Sequence, residues 1–213
     1  MGSSEPMTTQ QRPLRLAILE ADTPVPGVLA KYGKYGSVFA HLFRQACAPD
    51  PLESQLTLSA HDVVNDLSSY PDPETLDAVL ITGSKHSAFE DHEWILRLVA
   101  YTKRLLEQPA ARPDGRPRKS TTCTATSSTS TPRAPSPLAH TDVCATQAMY
   151  IPQRMIALQG HPEFTEDIMR EILEVRHKGG ILPDSVFEDA MSRAPDAHDG
   201  VAIARAFLKF LRE

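Results

Sequence analysis

Apolar residues in the first half of the chain follow two patterns, one typical of buried strands and one typical of amphipathic helices. Residues 14–21 and 76–84 are apolar almost throughout and end at turn-forming residues, as strands buried on both faces do. Residues 55–60 alternate like a strand with one exposed face. From about residue 36, and again over 94–105, apolar residues recur every three or four positions, as on one face of a helix. This order predicts a βαββα unit in an open, mostly parallel sheet.

The second half resumes the same pattern after a gap. Residues 155–159 have the composition of a buried strand and lead into Gly160-His161-Pro162-Glu163-Phe164. Three helices are predicted after it: one capped by Thr165, a short one over 184–193 and a last one over 199–212. The predicted fold is therefore a single α/β domain over 14–213, with three layers in which helices cover both faces of a mainly parallel sheet.

A 29-residue segment of different composition separates the two halves. Residues 109–137 contain six Pro and eleven Ser or Thr, and they contain no Leu, Ile, Val, Met, Phe, Tyr or Trp. Such a segment buries too little apolar surface to offset the entropy cost of ordering it, so we expect a disordered low-complexity loop. Residues 1–13 are polar and are also expected to be disordered.

The net charge of the chain and the length of its apolar runs indicate which classes of partner to expect. The chain has 22 Lys and Arg against 27 Asp and Glu, a formal charge of −5, which gives no electrostatic reason to expect nucleic acid or anionic lipid. No apolar run approaches the roughly 20 residues of a membrane helix, and the start has no secretory signal pattern. We therefore expect a cytoplasmic protein without nucleic-acid or membrane partners.

Cysteine and histidine spacing gives no sign of a metal or a disulfide framework. Three scattered cysteines are too few for either a CxxC zinc site or a set of bridges. Among the histidines, five show no metal-ligand spacing: His86, His92, His140, His177 and His198. We predict no metal and no cofactor.

The best candidate for chemistry is Gly160-His161-Pro162-Glu163. Pro162 keeps His161 out of helical angles, and in an extended stretch His161 and Glu163 point the same way because they are two residues apart. At the carboxyl end of a strand, this places an imidazole over the crevice where α/β proteins bind ligands. A carboxylate beside a histidine fixes its tautomer, as a general base requires. Taken alone, the signal is weak, because an isolated His-Pro-Glu is more often an ordinary turn.

A second candidate is the glycine-bearing turn after residues 76–81. Gly83 lets the chain turn so that backbone N–H groups, including that of Ser84, face a pocket as an oxyanion hole needs. The alternative is a strand that simply ends in a convenient turn.

Together these motifs resemble class I glutamine amidotransferase domains, and most of all the stand-alone, GMP-synthase-like members. The resemblance covers about residues 14–108 and 138–213, including His-Thr-Asp-Val-Cys-Ala-Thr-Gln at 140–147 and His-Asp-Gly at 198–200. It implies that His161 is the general base, that Glu163 orients it and that Gly83 with Ser84 binds the oxyanion. The reaction implied is hydrolysis of the side-chain amide of glutamine, or of a related small amide, to an acid and ammonia through a cysteine thioester.

The family's cysteine elbow, Gly-x-Cys-x-Gly after a central strand, has no counterpart after residue 108. An elbow holds the sulfur rigidly beside a helix N-terminus, which lowers the pKa of the thiol. Cys123 has no glycine beside it, Cys144 lies away from the matching position and Cys47 falls in a predicted helix. We therefore assign no nucleophile and expect a sheet that is incomplete in its centre and a catalytically impaired chain.

Two other functions stay open: a non-catalytic binding or scaffold protein that keeps the fold, and a hydrolase that uses Cys123. The origin of the 109–137 segment is also open. With free codon choice, residues 120–132 read one nucleotide back can spell IHHMHRDIVYEYP, which is similar to an Ile-His-x-Met-His-x-Asp segment of the family. A frameshift or a splicing change would explain both this and the missing elbow. The sequence indicates neither an acceptor for the ammonia nor an oligomeric state.

Overall fold

In a computed structural model of the chain, the described residues are 12–107, 119–123, 136–142 and 144–213, with 119–123 described by backbone alone. The strands are β1 Leu14–Glu20, β2 Leu56–Asp62, β3 Ala78–Ile81, β4 Lys119–Cys123, β5 Ser136–Thr141, β6 Cys144–Ile151 and β7 Met155–Leu158. The helices are α1 Pro26–Tyr32, α2 Tyr35–Cys47, α3 Leu52–Gln55, α4 Glu93–Glu107, α5 Glu166–Lys178, α6 Asp184–Arg193 and α7 Gly200–Arg212.

The seven described strands form one sheet in the order β2-β1-β3-β4-β7-β6-β5. Pairing is parallel from β2 through β7, and β6 runs antiparallel to both of its neighbours. The sheet is therefore mainly parallel, as predicted. The carboxyl ends of β1, β3, β4 and β7 consequently meet at one edge.

Helices cover both faces of this sheet because alternate residues of its buried strands point to opposite sides. On one face, Leu16 and Ile18 of β1 pack with aromatic residues of α2 and α7, including Phe39 and Phe207. On the other face, Ala17, Leu19 and Val79 pack against Tyr101 of α4. The predicted three-layer α/β architecture is confirmed by this arrangement.

Helix α5 is attached at the carboxyl edge through a smaller cluster. Ile168 of α5 packs with Val28 of α1 and Val38 of α2, and Phe164 just before α5 packs against the same cluster. Thr165 occupies the position before α5, as the sequence predicts. The contact fixes the segment between β7 and α5 relative to the sheet.

Strand β4 corrects the prediction of a sheet that is incomplete in its centre. Lys119–Cys123 pairs with β3 on one side and with β7 on the other, with Thr121 opposite Leu80 and Ile156. Ladder hydrogen bonds come from the backbone, and β-branched threonine suits a pleated strand, so this strand forms without large apolar residues.

The disorder predicted for 1–13 and 109–137 is wrong at a few described positions, and the remaining residues lie outside the described ranges. Arg12 is held by two hydrogen bonds to Asp77, at 2.8 and 2.7 Å, because a buried carboxylate needs a charged or hydrogen-bonded partner. Ser136 and Pro137 belong to β5, where backbone pairing with β6 orders them.

Within the described ranges, no helix has the length and apolar character needed to cross a membrane.

Candidate active site

Three candidate segments come together at the carboxyl edge because their strands run parallel. Thr82-Gly83-Ser84 follows β3, Cys123 ends β4, and Gln159-Gly160-His161 follows β7. In open α/β sheets, ligands bind at this edge. The folded order places β4 between the strands that lead to Gly83 and to His161. Adjacent strands lie about 4.8 Å apart, so the turns after β3 and β7 are roughly 10 Å apart.

His161 and Glu163 form a hydrogen-bonded pair. Nδ1 of His161 lies 2.8 Å from Oε1 of Glu163. The carboxylate is buried, with 3% of the residue exposed, whereas the imidazole keeps 33% of its side chain exposed. Because Glu163 engages Nδ1, the other ring nitrogen, Nε2, is the one left for chemistry. The pair has the arrangement of a positioned base and an orienting carboxylate.

Aromatic and acidic neighbours surround this pair. The ring of Phe164 stacks parallel on the imidazole of His161, with the ring centroids 4.2 Å apart, which restricts the imidazole plane. Oε2 of Glu163 is buried without a hydrogen-bond partner among the described residues. Burial, and then the negative charges of Asp22 and Glu163, raise the pKa of Tyr35 to about 12, so this phenol stays protonated at neutral pH.

The start of α7 supports the turn that carries His161. The backbone N–H of Gly200 donates to Nδ1 of His198 at 3.0 Å. A Cβ at Gly200 would overlap the carbonyl oxygen of Pro162 and the ring of His198. Glycine is therefore required for α7 to approach the His161–Glu163 turn this closely.

His161 lines a cavity of about 780 Å³, which is large enough for a small molecule. Gly160, Pro162 and Phe164 contribute to its wall, together with residues of β5, β6, α5 and α7. Arg176 lies on the same wall. The cavity therefore combines a half-buried imidazole with a cationic group.

The Gly83–Ser84 turn is well fixed but faces another cavity. The backbone N–H of Ala21 donates to Oγ1 of buried Thr82 at 2.9 Å, and that of Lys85 donates to Asp22 at 2.7 Å. Ser84 lines a smaller cavity against α4, which His161 does not line. The structure thus brings His161 and Glu163 together and places Gly83 and Ser84 at the same edge but outside the His161 cavity.

The three cysteines differ in position. Cys123 is the last residue of β4 and is paired with Leu158 in the register of β7. Cys47 is buried in α2, and burial raises the pKa of its thiol, which makes it a poor nucleophile. Cys144 is half-buried in β6, and its thiol donates to the carbonyl of Thr146 at 3.4 Å. Of the three, Cys123 alone ends a strand at the candidate edge.

Sequence reasoning missed a cluster of His86, Glu90 and His92 in the loop between β3 and α4. Oε2 of Glu90 lies 3.1 Å from a ring nitrogen of each histidine. The available signal was the four-residue spacing from His86 to Glu90. That spacing indicates a pair of metal ligands only on a helix, and these residues precede α4. The conformation of the loop brings the three side chains together.

No family model matches the chain. A curated Schizosaccharomyces pombe protein, described as glutamine amidotransferase-like, is 25% identical to this chain over an alignment 244 positions long, gaps included. The alignment covers 93% of this chain and 98% of that protein. A crystal structure of a glutamine amidotransferase from Thermotoga maritima superposes with a TM-score of 0.55 at 13% identity, covering 95% of this chain and 98% of that one. The chain is therefore similar along nearly its whole length to a glutamine amidotransferase-like protein, and it shares the fold of a glutamine amidotransferase.

Proposed function

We propose that this chain is a catalytically impaired glutamine amidotransferase, with His161 and Glu163 as the retained base and orienting carboxylate and without the family's cysteine elbow. The observation that carries the proposal is the 2.8 Å pair at the carboxyl edge, in which a buried carboxylate holds a half-exposed imidazole. The second oxygen of this buried carboxylate has no hydrogen-bond partner among the described residues, which costs stability, so its presence is more readily explained by a site than by packing.

The proposed chemistry needs each group in one role. Nε2 of His161 takes the proton of a thiol, and the thiolate attacks the side-chain amide of glutamine. Stabilisation of the oxyanion by the backbone N–H groups of Gly83 and Ser84 requires their turn, which lies outside the His161 cavity, to move towards it. His161 then returns the proton to the departing ammonia. Water then hydrolyses the thioester to glutamate. Without a held sulfur, the first step has no nucleophile.

Two observations support the absence of the elbow. Gly115 is the one glycine in residues 109–137, and it lies eight positions before Cys123, so the segment contains no Gly-x-Cys-x-Gly sequence. The alignment with the Schizosaccharomyces pombe protein is 244 positions long, which exceeds the 213 residues of this chain. That relative therefore has residues with no counterpart here.

The test is to restore a nucleophile. We expect no ammonia release from glutamine by the natural chain above a heat-treated sample. A chimera in which 109–137 are replaced by the strand and Gly-x-Cys-x-Gly elbow of an active class I enzyme should release ammonia. His161→Ala in the chimera should lower that rate by about 10²- to 10⁴-fold, the usual contribution of a positioned base. Glu163→Gln should lower it as well.

A matched control keeps the outcome clear. His41→Ala changes an exposed histidine of α2 and should leave the chimera's rate unchanged. A chimera that folds, as judged by circular dichroism, yet releases no ammonia would contradict the proposal. So would a chimera whose activity survives His161→Ala.

The second candidate, a hydrolase that uses Cys123, is favoured by one observation. Cys123 ends the strand next to β7, opposite Leu158, and His161 follows Leu158 by three residues. This function predicts that the natural chain releases ammonia and that an electrophilic glutamine analogue adds one mass adduct on Cys123. Cys123→Ser should abolish both, and Cys144→Ser should abolish neither. An unlabelled, inactive natural chain would reject this candidate.

A further inference from the structure

We propose that His86, Glu90 and His92 bind one divalent transition-metal ion, with zinc as the best fit, in the loop between β3 and α4. This loop lies outside the His161–Glu163 site. The inference does not depend on glutamine hydrolysis, because it concerns different residues and a different measurement.

The three side chains are already grouped at ligand distances. Oε2 of Glu90 lies 3.1 Å from Nδ1 of His86 and 3.1 Å from Nε2 of His92. One ligand atom from each residue lies within 4.8 Å of the others. Zinc bonds of about 2.0–2.2 Å in tetrahedral geometry place ligand atoms roughly 3.3 Å apart, so small rotations of the side chains complete the site.

The donor set favours zinc over the common alkaline-earth ions. Two imidazoles and one carboxylate form a well-known three-ligand zinc arrangement, which leaves a fourth position for water. Imidazole nitrogen suits zinc, copper, nickel and iron, whereas calcium and magnesium prefer oxygen ligands throughout. The site should therefore reject magnesium.

Neighbouring groups hold the ligands in place. The backbone N–H of Ser87 donates to Oε1 of Glu90 at 3.0 Å, which leaves Oε2 directed at the two histidines. The ring of His86 packs edge-on against Trp94, with the ring centroids 5.6 Å apart. Outer contacts of this kind orient metal ligands and raise affinity.

The ligands are also accessible to an ion from solvent. Their side chains are 30%, 41% and 53% exposed for His86, Glu90 and His92. The local charge favours a cation, because Glu90 is followed by Asp91 and Glu93. The nearby basic groups are engaged elsewhere, Lys85 with Asp22 and Arg97 with Glu93.

A bound ion would fix the loop next to the Gly83–Ser84 turn. The backbone N–H of His86 donates to Oγ of Ser84 at 3.1 Å, so the first ligand is one hydrogen bond from that turn. An ion that binds the folded chain stabilises it by mass action. We therefore expect zinc to raise the melting temperature as well as to bind.

The experiment uses the full chain without a polyhistidine tag, after dialysis against a chelator. Titration calorimetry with zinc chloride in a non-coordinating buffer should show one ion per chain, and magnesium chloride should show no binding. Cobalt chloride should give visible absorption bands of a low-coordinate site. His86→Ala and His92→Ala should each weaken zinc binding by at least about tenfold. Glu90→Gln should weaken it too, and His41→Ala should have no effect.

Other results would overturn the proposal. No zinc binding by the folded natural chain would do so, and so would zinc binding that His86→Ala and His92→Ala leave unchanged. A rise in melting temperature with zinc in the natural chain, absent in His92→Ala, separates this loop from other histidines. Circular dichroism of each variant checks that the exposed substitutions leave the fold intact.

Discussion

Four polar or charged residues are buried in the part of the chain that the structure describes: Glu20, Asp77, Thr82 and Glu163. Three of them, Glu20, Asp77 and Thr82, join a strand or its end to another segment. Glu20 accepts from the backbone N–H of Gly36 at the start of α2, Asp77 accepts from that of Arg15 in β1, and Thr82 accepts from that of Ala21. Because a buried polar group without a partner is costly, these contacts select one arrangement of the elements.

Asp77→Asn tests this at one residue. Burial opposes ionisation of the 7%-exposed Asp77, but hydrogen bonds from Arg12 and from the backbone of Arg15 outweigh it and hold the pKa of this carboxyl well below its ordinary value. A depressed pKa contributes stability that is complete above the ordinary pKa of about 4 and is lost as the pH falls towards the folded-state pKa. We expect Asp77→Asn to lower the free energy of unfolding by about 2 kcal/mol at pH 7.

Urea unfolding between pH 7 and pH 3 measures the effect. The gap between the natural chain and Asp77→Asn should narrow as the pH falls below about 4. Asp189→Asn, which removes an exposed pair with Arg193, should produce no measurable change. A gap that stays constant across this pH range would contradict the assignment.

Among the elements, α7 has two contacts that matter for the candidate site. Its apolar residues Phe207, Phe210 and Leu211 are buried against α2 and the sheet. Its first residue, Gly200, approaches the backbone of Pro162 so closely that a side chain does not fit. The helix therefore couples the core to the turn that holds His161.

Gly200→Ala should push α7 away from this turn. Overpacking of a close contact costs about 1–3 kcal/mol, so we expect a loss of that size in the free energy of unfolding. The carbonyl of Pro162 cannot move far without moving His161, so the imidazole resonances of His161 in an NMR spectrum should shift.

Gly160→Ala is the matched control, because nothing lies within 4 Å of a Cβ built there. It changes a glycine of the same turn and should leave the free energy of unfolding nearly unchanged. Equal stability of Gly200→Ala and the natural chain would show that the helix does not make this close approach.

For the whole molecule, β4 decides whether the sheet is continuous. It pairs with β3 on one side and with β7 on the other, so it connects the strands of the first half of the chain to those of the second half. A central strand uses the N–H of every residue in one ladder or the other. Continuity therefore depends on the backbone of five residues with few apolar side chains.

Thr121→Pro tests that continuity. Proline removes a ladder N–H and is not accommodated in a central strand, so the free energy of unfolding should fall by at least about 2 kcal/mol. Thr121→Val keeps the N–H and the β-branched shape, and it should be close to neutral. Chemical denaturation of the natural chain, Thr121→Pro and Thr121→Val gives the comparison. A Thr121→Pro protein as stable as the natural chain would show that β4 is not part of the sheet.

Sequence patterns predicted the elements whose signal is local. The helix over 184–193 has the predicted bounds, and α5 begins after Thr165, because both depend on neighbours within the same segment. The His161–Glu163 contact was also predicted, but from an extended stretch. In the structure Pro162 and Glu163 lie in a turn, in which the backbone N–H of Phe164 donates to the carbonyl oxygen of His161 at 3.3 Å. Spacing did not predict α1, although Pro26 in its first turn is a favourable start for a helix.

The amino-acid sequence alone determined the layered α/β architecture, its parallel strands and the histidine–carboxylate motif, because periodicity and short-range geometry are properties of consecutive residues. Tertiary structure alone decided that Lys119–Cys123 lies in the centre of the sheet, that β5 and β6 extend it and that His86, Glu90 and His92 meet. These three features depend on partners distant in sequence or on the path of a loop. The spacing of residues within one segment contains no information about either.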